Sequence, residues 1–510
     1  MSIAEIKLIL KRLYKEYVRA HLKKIFISLI LSIIVAGSTS GIAWLLDPAV
    51  KKIFIEKNTT LSWVIPILII VAFAGKGISL YFARLLIIRV GEEVSGTIKK
   101  EIAENIVKSD IQTLDSRHSG KYISNVMFDA GQVQSLVSTG VLNIMKDTFS
   151  VLALVGVMVY QNWKLALFAM LMMPLAAGLA KSLGKRIGKA VGKAGDASGV
   201  LVTFLTEIFR GARMIRVYQK ENTIKSEANE VINDVIEKNI KTSSVLIRAA
   251  PLMETLTGIM IAGFIAFSGQ LISTGELEVN NFFSFLAAMM LAYQPVRSLA
   301  TLNIVINNGL VSAKRILPII DEKSKLKKNI DDKNLDLNKG NIKFKNIEFS
   351  YDNISDEITK KTTLKNINLE MQGGKMTALV GYSGSGKSTI LNLIPRIYDA
   401  GSGDITIDNQ SIYKTKIVSL RQNISFVSQD TNLFDDTIKN NIAYADMDAT
   451  DDEIYNAAKL SFASEFIEKL KDKYDTKIGE NGIRLSGGEK QRLSIARAIL
   501  KKSKIILLDE

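Results

Sequence analysis

Two short segments in the second half of the chain place glycine, lysine, hydroxyl and carboxylate side chains at spacings that suit phosphate binding. The first, GYSGSGKST at residues 381–389, lies between an apolar strand pattern and an apolar helix pattern, as a phosphate-binding loop requires. Its glycines permit positive φ and close approach to phosphate oxygens, Lys387 balances phosphate charge, and Ser388 can ligate Mg²⁺. The alternative is an ordinary glycine-rich turn. The predicted ATP-binding residues of this loop are Gly381, Ser383, Gly384, Ser385, Gly386, Lys387, Ser388 and Thr389.

The second segment, IILLDE at residues 505–510, is an apolar strand pattern that ends in two acids. Asp509 suits the ligand shell of Mg²⁺, and Glu510, one residue further, could orient and deprotonate an attacking water. An acidic strand end alone is common in α/β proteins, but here it accompanies a phosphate loop. We therefore predict an ATP hydrolase that uses ATP and Mg²⁺, with Glu510 and Lys387 among its catalytic residues.

Between these segments lies LSGGEKQR at residues 485–492, which opens a predicted helix with small residues able to offer backbone N–H groups to an anion. A capped helix start is the structural alternative. This run resembles the signature of ABC-type transport ATPases. The resemblance implies that the signature contacts ATP held by the opposite subunit, so two chains are expected to dimerise. A homodimer with a second copy of this chain is the expected form, and a heterodimer is the alternative. The signature residues are Leu485, Ser486, Gly487, Gly488 and Glu489.

The same resemblance assigns roles to single residues. Tyr351 looks like the aromatic that stacks on adenine, or else an ordinary sheet aromatic. Gln429 matches the glutamine that touches Mg²⁺ and the attacking water, with a surface amide as the alternative. Glu480 resembles a loop residue that couples the ATPase to the membrane helices. The expected metal ligands are Ser388, Gln429 and Asp509.

The composition of the chain indicates that one part contacts lipid and another contacts water. Its 510 residues are 47% hydrophobic and 23% charged, with the apolar residues concentrated before about residue 310. The net charge of +15 could suit nucleic acid, but Lys and Arg lie mostly beside apolar segments, so we expect anionic lipid headgroups and no nucleic acid. The absence of cysteine excludes disulfides and thiolate chemistry.

Hydropathy predicts a membrane domain of six helices. An amphipathic helix over residues 1–20 is expected on the membrane surface. Short and long loops alternate, and basic residues place the long loops, both chain ends and the ATPase in the cytoplasm, at the cytoplasmic membrane. The long loops are predicted to continue the helices as stalks. Residues 112–118 and 207–216 resemble the coupling helices that ABC-type exporters have at the tips of these stalks. The six spans are predicted at residues 25–46, 61–88, 139–160, 165–180, 255–272 and 279–296.

We thus predict an all-α six-helix transmembrane domain followed by an α/β phosphate-loop ATPase domain. The boundaries are an elbow at 1–20, the membrane domain at 21–315, a linker at 316–340 and the ATPase domain at 341–510. Strands are predicted around residues 342–349, 376–380, 424–427 and 505–508. The last predicted strand ends in mid-sheet, and the sequence lacks the later histidine that the resemblance implies. We therefore interpret the sequence as a fragment of a longer protein; the alternative is a truncated chain with slow ATPase activity.

The membrane half gives the evidence on substrate. GIAWLLDP at residues 41–48 and IGENG at residues 478–482 resemble the MsbA-type lipid A exporters. In that resemblance, Lys76, Lys146 and Arg297 would hold lipid phosphates in a cavity, with Arg84 as a further candidate. The alternative is snorkelling to the interface or pairing with an acid such as Asp147.

The predicted activity is ATP-driven export of a lipid A-like lipid or a phospholipid by alternating access. A multidrug or lipid-linked oligosaccharide exporter remains open as a second possibility. A third is an ATP-binding regulator or ATP-gated channel that moves nothing uphill, against which the intact Lys387, Asp509 and Glu510 argue.

Overall fold

The computed structural model describes residues 2–115, 122–123, 125–322, 326, 333–351 and 363–509. It divides into two compact units. The first comprises Met1–Asn105 and Tyr122–Asp321, and the second comprises Ile106–Lys121 and Glu322–Glu510. The segment that contains the predicted coupling helix at 112–118 therefore belongs to the second unit, where Ile111–Asp115 forms one helical turn. Residues 116–118 lie outside the described part.

Long helices build the first unit, as predicted. Three helical stretches of the described chain are long and apolar enough to cross a membrane: Ile3–Ile55, Thr59–Lys108 and Asn125–Gln161. A shorter apolar helix covers Gly258–Ser273. Longer helices contain all six predicted spans. The helices are α1 (Ile3–Leu13), α2 (Leu22–Pro48), α3 (Thr59–Lys108), α4 (Ile111–Asp115), α5 (Ala130–Ser135), α6 (Val141–Gln161), α7 (Trp163–Val217), α8 (Glu221–Ser273) and α9 (Val279–Ile320).

Wider helical turns connect several of these helices. The π-helical segments are Tyr14–Val18, Ala49–Ile55, Asn125–Asp129 and Leu136–Gly140, and Arg19–His21 is a 3₁₀ turn. They let one helix run into the next without a break, and Ala49–Ile55 extends α2 into the connection between the first two predicted spans.

The elbow helix α1 is fixed at both ends. A capping box at its start joins Ser2 and Glu5, which satisfies backbone N–H groups that a helix end leaves free. Near its end, the guanidinium of Arg12 pairs with Asp321, just after α9. The hydroxyl of buried Tyr17 donates to the Glu101 carboxylate at 2.5 Å. These contacts attach the surface helix to α3 and α9.

The core of the first unit combines aromatic packing with buried polar contacts. Phe264 of α8 and Phe285 of α9 are fully buried and stack with ring centroids 4.9 Å apart. The Gln161 amide donates to Ser284 at 2.9 Å, and Ser284 donates to the carbonyl oxygen of Ala43 at 2.8 Å. This chain of hydrogen bonds joins α2, α6 and α9 where an unpartnered polar group would be costly.

The described residues of the second unit form two sheets. The first has the strand order β2, β1, β3, β4, with antiparallel pairs throughout. The second is a parallel pair, β5 with β6. The strands predicted at 342–349, 424–427 and 505–508 are confirmed. The strands are β1 (Ile342–Phe349), β2 (Leu364–Met371), β3 (Ser402–Ile407), β4 (Gln410–Ser411), β5 (Ile424–Val427) and β6 (Ile505–Leu508).

The described part of the second unit also contains the helices α10 (Lys387–Leu393), α11 (Ile417–Gln422), α12 (Ile438–Ala443), α13 (Asp451–Leu460), α14 (Ser464–Ile467) and α15 (Gly487–Leu500). The 3₁₀ turns Lys473–Asp475 and Glu480–Gly482 lie between α14 and α15. Leu393 of α10 and Leu420 of α11 share a core with β1 and β3, whereas α12, α13, α14 and α15 pack around a second core of their own.

The buried strand predicted at 376–380 is wrong. This segment has no strand geometry in the structure, and its ends Met376 and Val380 are 98% and 94% exposed. A short apolar run becomes a strand only when neighbouring strands pair with its backbone. Among the described residues β5 and β6 pair with each other and not with this segment. The composition of residues 376–380 does not reveal whether a neighbouring strand is available to pair with them.

The predicted linker is helical at its start and anchored at its end. Helix α9 continues to Ile320. At the other end, the Asp408 carboxylate accepts hydrogen bonds from four successive backbone N–H groups, those of Asn338, Lys339, Gly340 and Asn341, at 2.8–3.0 Å. Burial alone would raise the pKa of Asp408, but these four hydrogen bonds outweigh it and lower that pKa below its usual value.

Candidate functional site

The phosphate loop has a backbone that only glycine adopts without strain. Gly384 and Gly386 have φ of +80° and +90°. A Cβ on Gly386 would also lie 2.6 Å from the Leu364 side chain of β2. The helix α10 begins directly after Gly386, so the loop leads into a helix N-terminus, where backbone N–H groups attract anions.

Lys387 is held by its own loop. Its ammonium donates to the carbonyl oxygens of Gly381 and Tyr382, both at 2.9 Å. Both acceptors are uncharged, so a nucleotide phosphate, which carries full negative charge, can displace them. The predicted cation for the phosphates is therefore present inside the loop.

The predicted metal ligands Ser388 and Asp509 are brought together. The Ser388 hydroxyl donates to the Asp509 carboxylate at 2.9 Å across 121 residues of sequence. Asp509 follows β6, and its backbone N–H donates to the carbonyl oxygen of Val427, the last residue of β5, at 2.9 Å. Gln429 follows β5 by two residues and is exposed. Because β5 and β6 are parallel, their carboxyl ends place Gln429 and Asp509 at one edge.

The donor chemistry at this edge suits a hard cation. A hydroxyl and a carboxylate are oxygen ligands of the kind Mg²⁺ prefers. No group of three or more His, Cys, Asp or Glu side chains with metal-ligand spacing occurs among the described residues. A magnesium ion here would thus draw on few protein ligands, as expected for a metal that shares phosphate and water oxygens. Glu510, the predicted base, lies outside the described residues.

Tyr351 lies beside the phosphate loop. Its hydroxyl is 3.0 Å from that of Thr389, and its ring meets Phe349 and Tyr398 edge-on with centroids 4.8 Å and 5.2 Å away. The residue is 36% exposed. The ring is thus positioned by sheet aromatics and still offers surface to a ligand, so both interpretations of this aromatic retain support.

The signature segment forms a capped helix start. Ser486 caps α15, its hydroxyl accepting from the Glu489 N–H while the Glu489 carboxylate accepts from the Ser486 N–H at 2.7 Å. The structural alternative thus accounts for Ser486 and Glu489. It does not account for Gly487 and Gly488, because a Cβ at either would meet nothing within 4 Å. Leu485 packs against the core of buried residues beside α15.

Glu480 lies in the 3₁₀ turn Glu480–Gly482, just before the signature. Gly479 and Gly482 flank this acid with φ of +76° and +64°, and Asn481 between them has φ of +50°. The Glu480 side chain is exposed. The left-handed backbone presents the carboxylate to solvent, which is compatible with the predicted coupling contact.

The first unit contains a cavity of about 400 Å³ lined by residues of α3, α6 and α9, together with one residue of the preceding π-helical segment. Lys146 belongs to its lining, and so does Arg84, the further candidate from the sequence. Lys76 and Arg297 do not line it, although Lys76 is close enough to Lys146 for their charges to interact. The lining residues are Arg84, Ile87, Ile88, Thr139, Leu142, Asn143, Lys146, Gln294 and Ser298.

Four polar residues of this cavity were missed by sequence reasoning. Thr139 and Asn143 precede Lys146 by seven and three positions, so a helix places all three on one face. Thr139 and Asn143 are four positions apart, and so are Gln294 and Ser298 on α9. Polar residues at helical spacing inside an apolar span are the pattern that could have revealed them.

Lys146 forms an ion pair with the neighbouring Asp147, which was the pairing alternative for this lysine. The Asp147 side chain is fully buried, and its Oδ2 has no hydrogen-bond partner in the described structure. The Lys146 side chain is 16% exposed. Lys146 therefore both lines the cavity and pairs with an acid.

Comparisons with known proteins agree with this geometry. The family described as ABC transporter transmembrane region matches residues 25–296, and the family described as ABC transporter matches residues 364–510. The chain is 36% identical over 504 residues to the ATP-dependent lipid A-core flippase of Desulfotalea psychrophila, covering 99% of this chain and 87% of that one. It is 35% identical to the flippase of the same description from Syntrophus aciditrophicus, covering 98% and 82%.

A solved structure shows the same fold. The bacterial Atm1-family ABC exporter with ATP bound superposes with a TM-score of 0.82 at 23% identity, covering 96% of this chain and 86% of that one. Membrane-crossing helices followed by a phosphate loop and an acidic strand end are the parts that ATP-driven transport requires. The chain belongs to the ABC transporter family, as a multi-pass inner-membrane protein whose cytoplasmic ATPase domain couples ATP hydrolysis to transport.

Proposed function

We propose that this transporter moves a phosphate-bearing lipid, of the lipid A type or a related phospholipid, from the inner to the outer leaflet. The observation that carries the proposal is the cavity among α3, α6 and α9, with Arg84 and Lys146 in its lining. Two relatives that cover almost the whole chain are described as lipid A-core flippases, which supports the same substrate class.

The charge of the cavity favours an anionic ligand. A cation within a membrane span costs about 3 kcal/mol on insertion scales, so an anionic partner stabilises it there. Arg84 has no carboxylate partner among the described residues. A guanidinium donates two parallel hydrogen bonds to a phosphate, and the polar side chains around it can bind sugar or phosphate oxygens.

On the ATP side, we propose that two copies of the chain bind ATP between them. Gly487 and Gly488 leave open space at a helix N-terminus, so a phosphate held by the partner's loop could approach the backbone closely. In each copy the phosphate loop and Tyr351 would hold ATP, and Ser388, Gln429 and Asp509 would hold Mg²⁺. When bound, Mg²⁺ neutralises charge on the phosphates.

In the proposed cycle, ATP brings the two ATPase domains together and the stalk helices carry that movement to the membrane cavity. Glu480 and the predicted segments at 112–118 and 207–216 would transmit it. Gln429 would orient the attacking water and Glu510 would accept its proton. Hydrolysis then separates the domains and returns the cavity to the inner leaflet.

The test is ATPase activity and lipid translocation by the full-length protein in vesicles, with and without lipid A. We expect lipid A to raise ATPase activity, and Glu510→Gln to abolish both activities. Glu370→Gln is the matched control, because Glu370 is a surface carboxylate of β2 paired with Lys343. Activity that ignores lipid A but rises with drugs or lipid-linked oligosaccharides would favour those exporters, and ATP binding without translocation would favour a regulator or channel.

A further inference from the structure

The cavity cation Lys146 is not free to bind a lipid phosphate without cost. Its ammonium already pairs with the Asp147 carboxylate on the next residue of α6. Asp147 faces away from solvent with no exposed side-chain surface, and it is not part of the cavity lining. Lys146 therefore lies between two anions when a lipid is bound: the carboxylate behind it and the phosphate in the cavity.

Asp147 depends strongly on this lysine. Its Oδ1 pairs with Lys146, whereas its Oδ2 has no hydrogen-bond partner in the part of the chain that the structure describes. A buried carboxylate that loses its cation is left uncompensated in a medium of low polarity. The ion pair will therefore re-form as soon as a competing anion leaves.

We propose that Asp147 is a positioning residue that competes with the lipid phosphate for Lys146 and so allows the lipid to be released. A transport site must bind its cargo well enough to load and weakly enough to unload. With the pair intact, Arg84 is the cavity cation that can attract a phosphate at full strength. Lys146 joins only while the phosphate is present, and Asp147 takes it back afterwards. This inference rests on the proposed lipid function.

The first test is Asp147→Asn, assayed in vesicles that contain either diphosphoryl lipid A or only zwitterionic phosphatidylethanolamine. With lipid A, we expect the half-stimulating concentration and the maximal translocation rate both to fall about tenfold, since binding tightens and release slows. With phosphatidylethanolamine, both values should stay within about twofold, because a neutral headgroup gains little from the added positive charge. Asp147→Glu retains the carboxylate and should restore wild-type behaviour.

A purely structural role would give a different result. In that case Asp147→Asn would reduce the maximal translocation rate with both lipids, and the half-stimulating concentration of lipid A would stay unchanged or rise. An equal loss of rate with both lipids overturns the inference, and so does a half-stimulating concentration that does not fall. An Asp147→Glu variant that behaves like Asp147→Asn also overturns it.

The second test leaves the buried pair intact, in case Asp147→Asn does not fold. In Arg84→Gln, the phosphate has to draw Lys146 away from Asp147 without help from the guanidinium, so the preference of the cavity for lipid A over phosphatidylethanolamine should fall about tenfold or more. If the preference is unchanged, Lys146 binds the phosphate independently of Asp147 and the inference is wrong. A wild-type protein that lipid A does not stimulate would overturn the proposed function as well, which separates the two failures.

Discussion

The molecule holds two lysines for which we propose phosphate contacts, and their surroundings differ. In the ATPase domain, Lys387 donates to two neutral carbonyl oxygens of its own loop. In the membrane domain, Lys146 pairs with the fully charged and buried Asp147. Displacing a carbonyl oxygen costs less than displacing a carboxylate. The comparison suggests one lysine arranged for firm binding of ATP and one arranged for reversible contact with cargo.

Removing the loop lysine should have the largest effect. In Lys387→Ala, we expect ATPase activity to fall by about 10²–10³-fold with every lipid, because the main cation for the phosphates is lost. Steady-state phosphate release in vesicles measures this. Lys375→Ala is the matched control, since Lys375 is exposed and donates to Gln372. A loss in Lys387→Ala that depends on the lipid present would break the contrast between the two lysines.

A side chain added to the signature should separate folding from function. In Gly488→Leu, the open space around the glycine predicts an unchanged melting temperature, whereas ATPase activity should fall about 10²-fold because the partner's phosphate can no longer approach. Thermal unfolding and ATPase assays on the same sample test this, and Gly488→Ala should give an intermediate loss. A lower melting temperature would show that the glycine serves the fold and not the dimer.

Neutralising the cavity lysine should have a smaller and selective effect. In the double variant Lys146→Gln/Asp147→Asn, which removes the buried carboxylate together with its cation, we expect the half-stimulating concentration of lipid A to rise about tenfold relative to Asp147→Asn, while ATPase activity without lipid A changes little. Titration of lipid A into vesicles measures the shift. An equal loss with phosphatidylethanolamine would indicate damaged packing of α6 and would remove the distinction from Lys387.

We expect the smallest effect at Asp408, which holds the end of the linker and has no proposed role in phosphate binding by Lys387 or Lys146. Because the pKa of folded Asp408 is lowered, its stabilisation is complete above the ordinary aspartate pKa and is lost as pH falls through the lowered value. Asp408→Asn should speed hydrogen exchange of the 338–341 amides about fivefold at neutral pH. The difference from the wild type should shrink below pH 3.8, the ordinary value. A difference that persists in acid would show that charge is not the cause.

The two regions also differ in how far the sequence reveals them. The phosphate loop and the signature helix follow from contiguous motifs positioned by local backbone geometry, whereas the Ser388–Asp509 contact joins two such motifs and also depends on the pairing of β5 with β6. The cavity depends on three long helices that converge, so only the structure shows that, of the four candidate cations, Lys146 and Arg84 share its lining. Lys76 and Arg297, chosen by resemblance, do not line that cavity.

Long-range pairing explains the remaining differences. The run at 376–380 has strand composition, but its exposure shows that pairing and not composition decides. The Asp408 anchor joins residues almost 70 positions apart, and no local pattern marks it. Contacts of this kind depend on which segments meet, which a single sequence does not state.

Helix α7 has a mechanical consequence. Its 55 residues at 1.5 Å each make a continuous rod of about 80 Å, whereas the hydrocarbon layer is about 30 Å thick. About 50 Å of the rod therefore projects from the bilayer, and a tilt of about 10° at the membrane displaces the far end by about 9 Å. The helix is thus a lever arm with about 30 Å on one side of the membrane surface and about 50 Å on the other, so its far end moves a little less than twice as far as its membrane end.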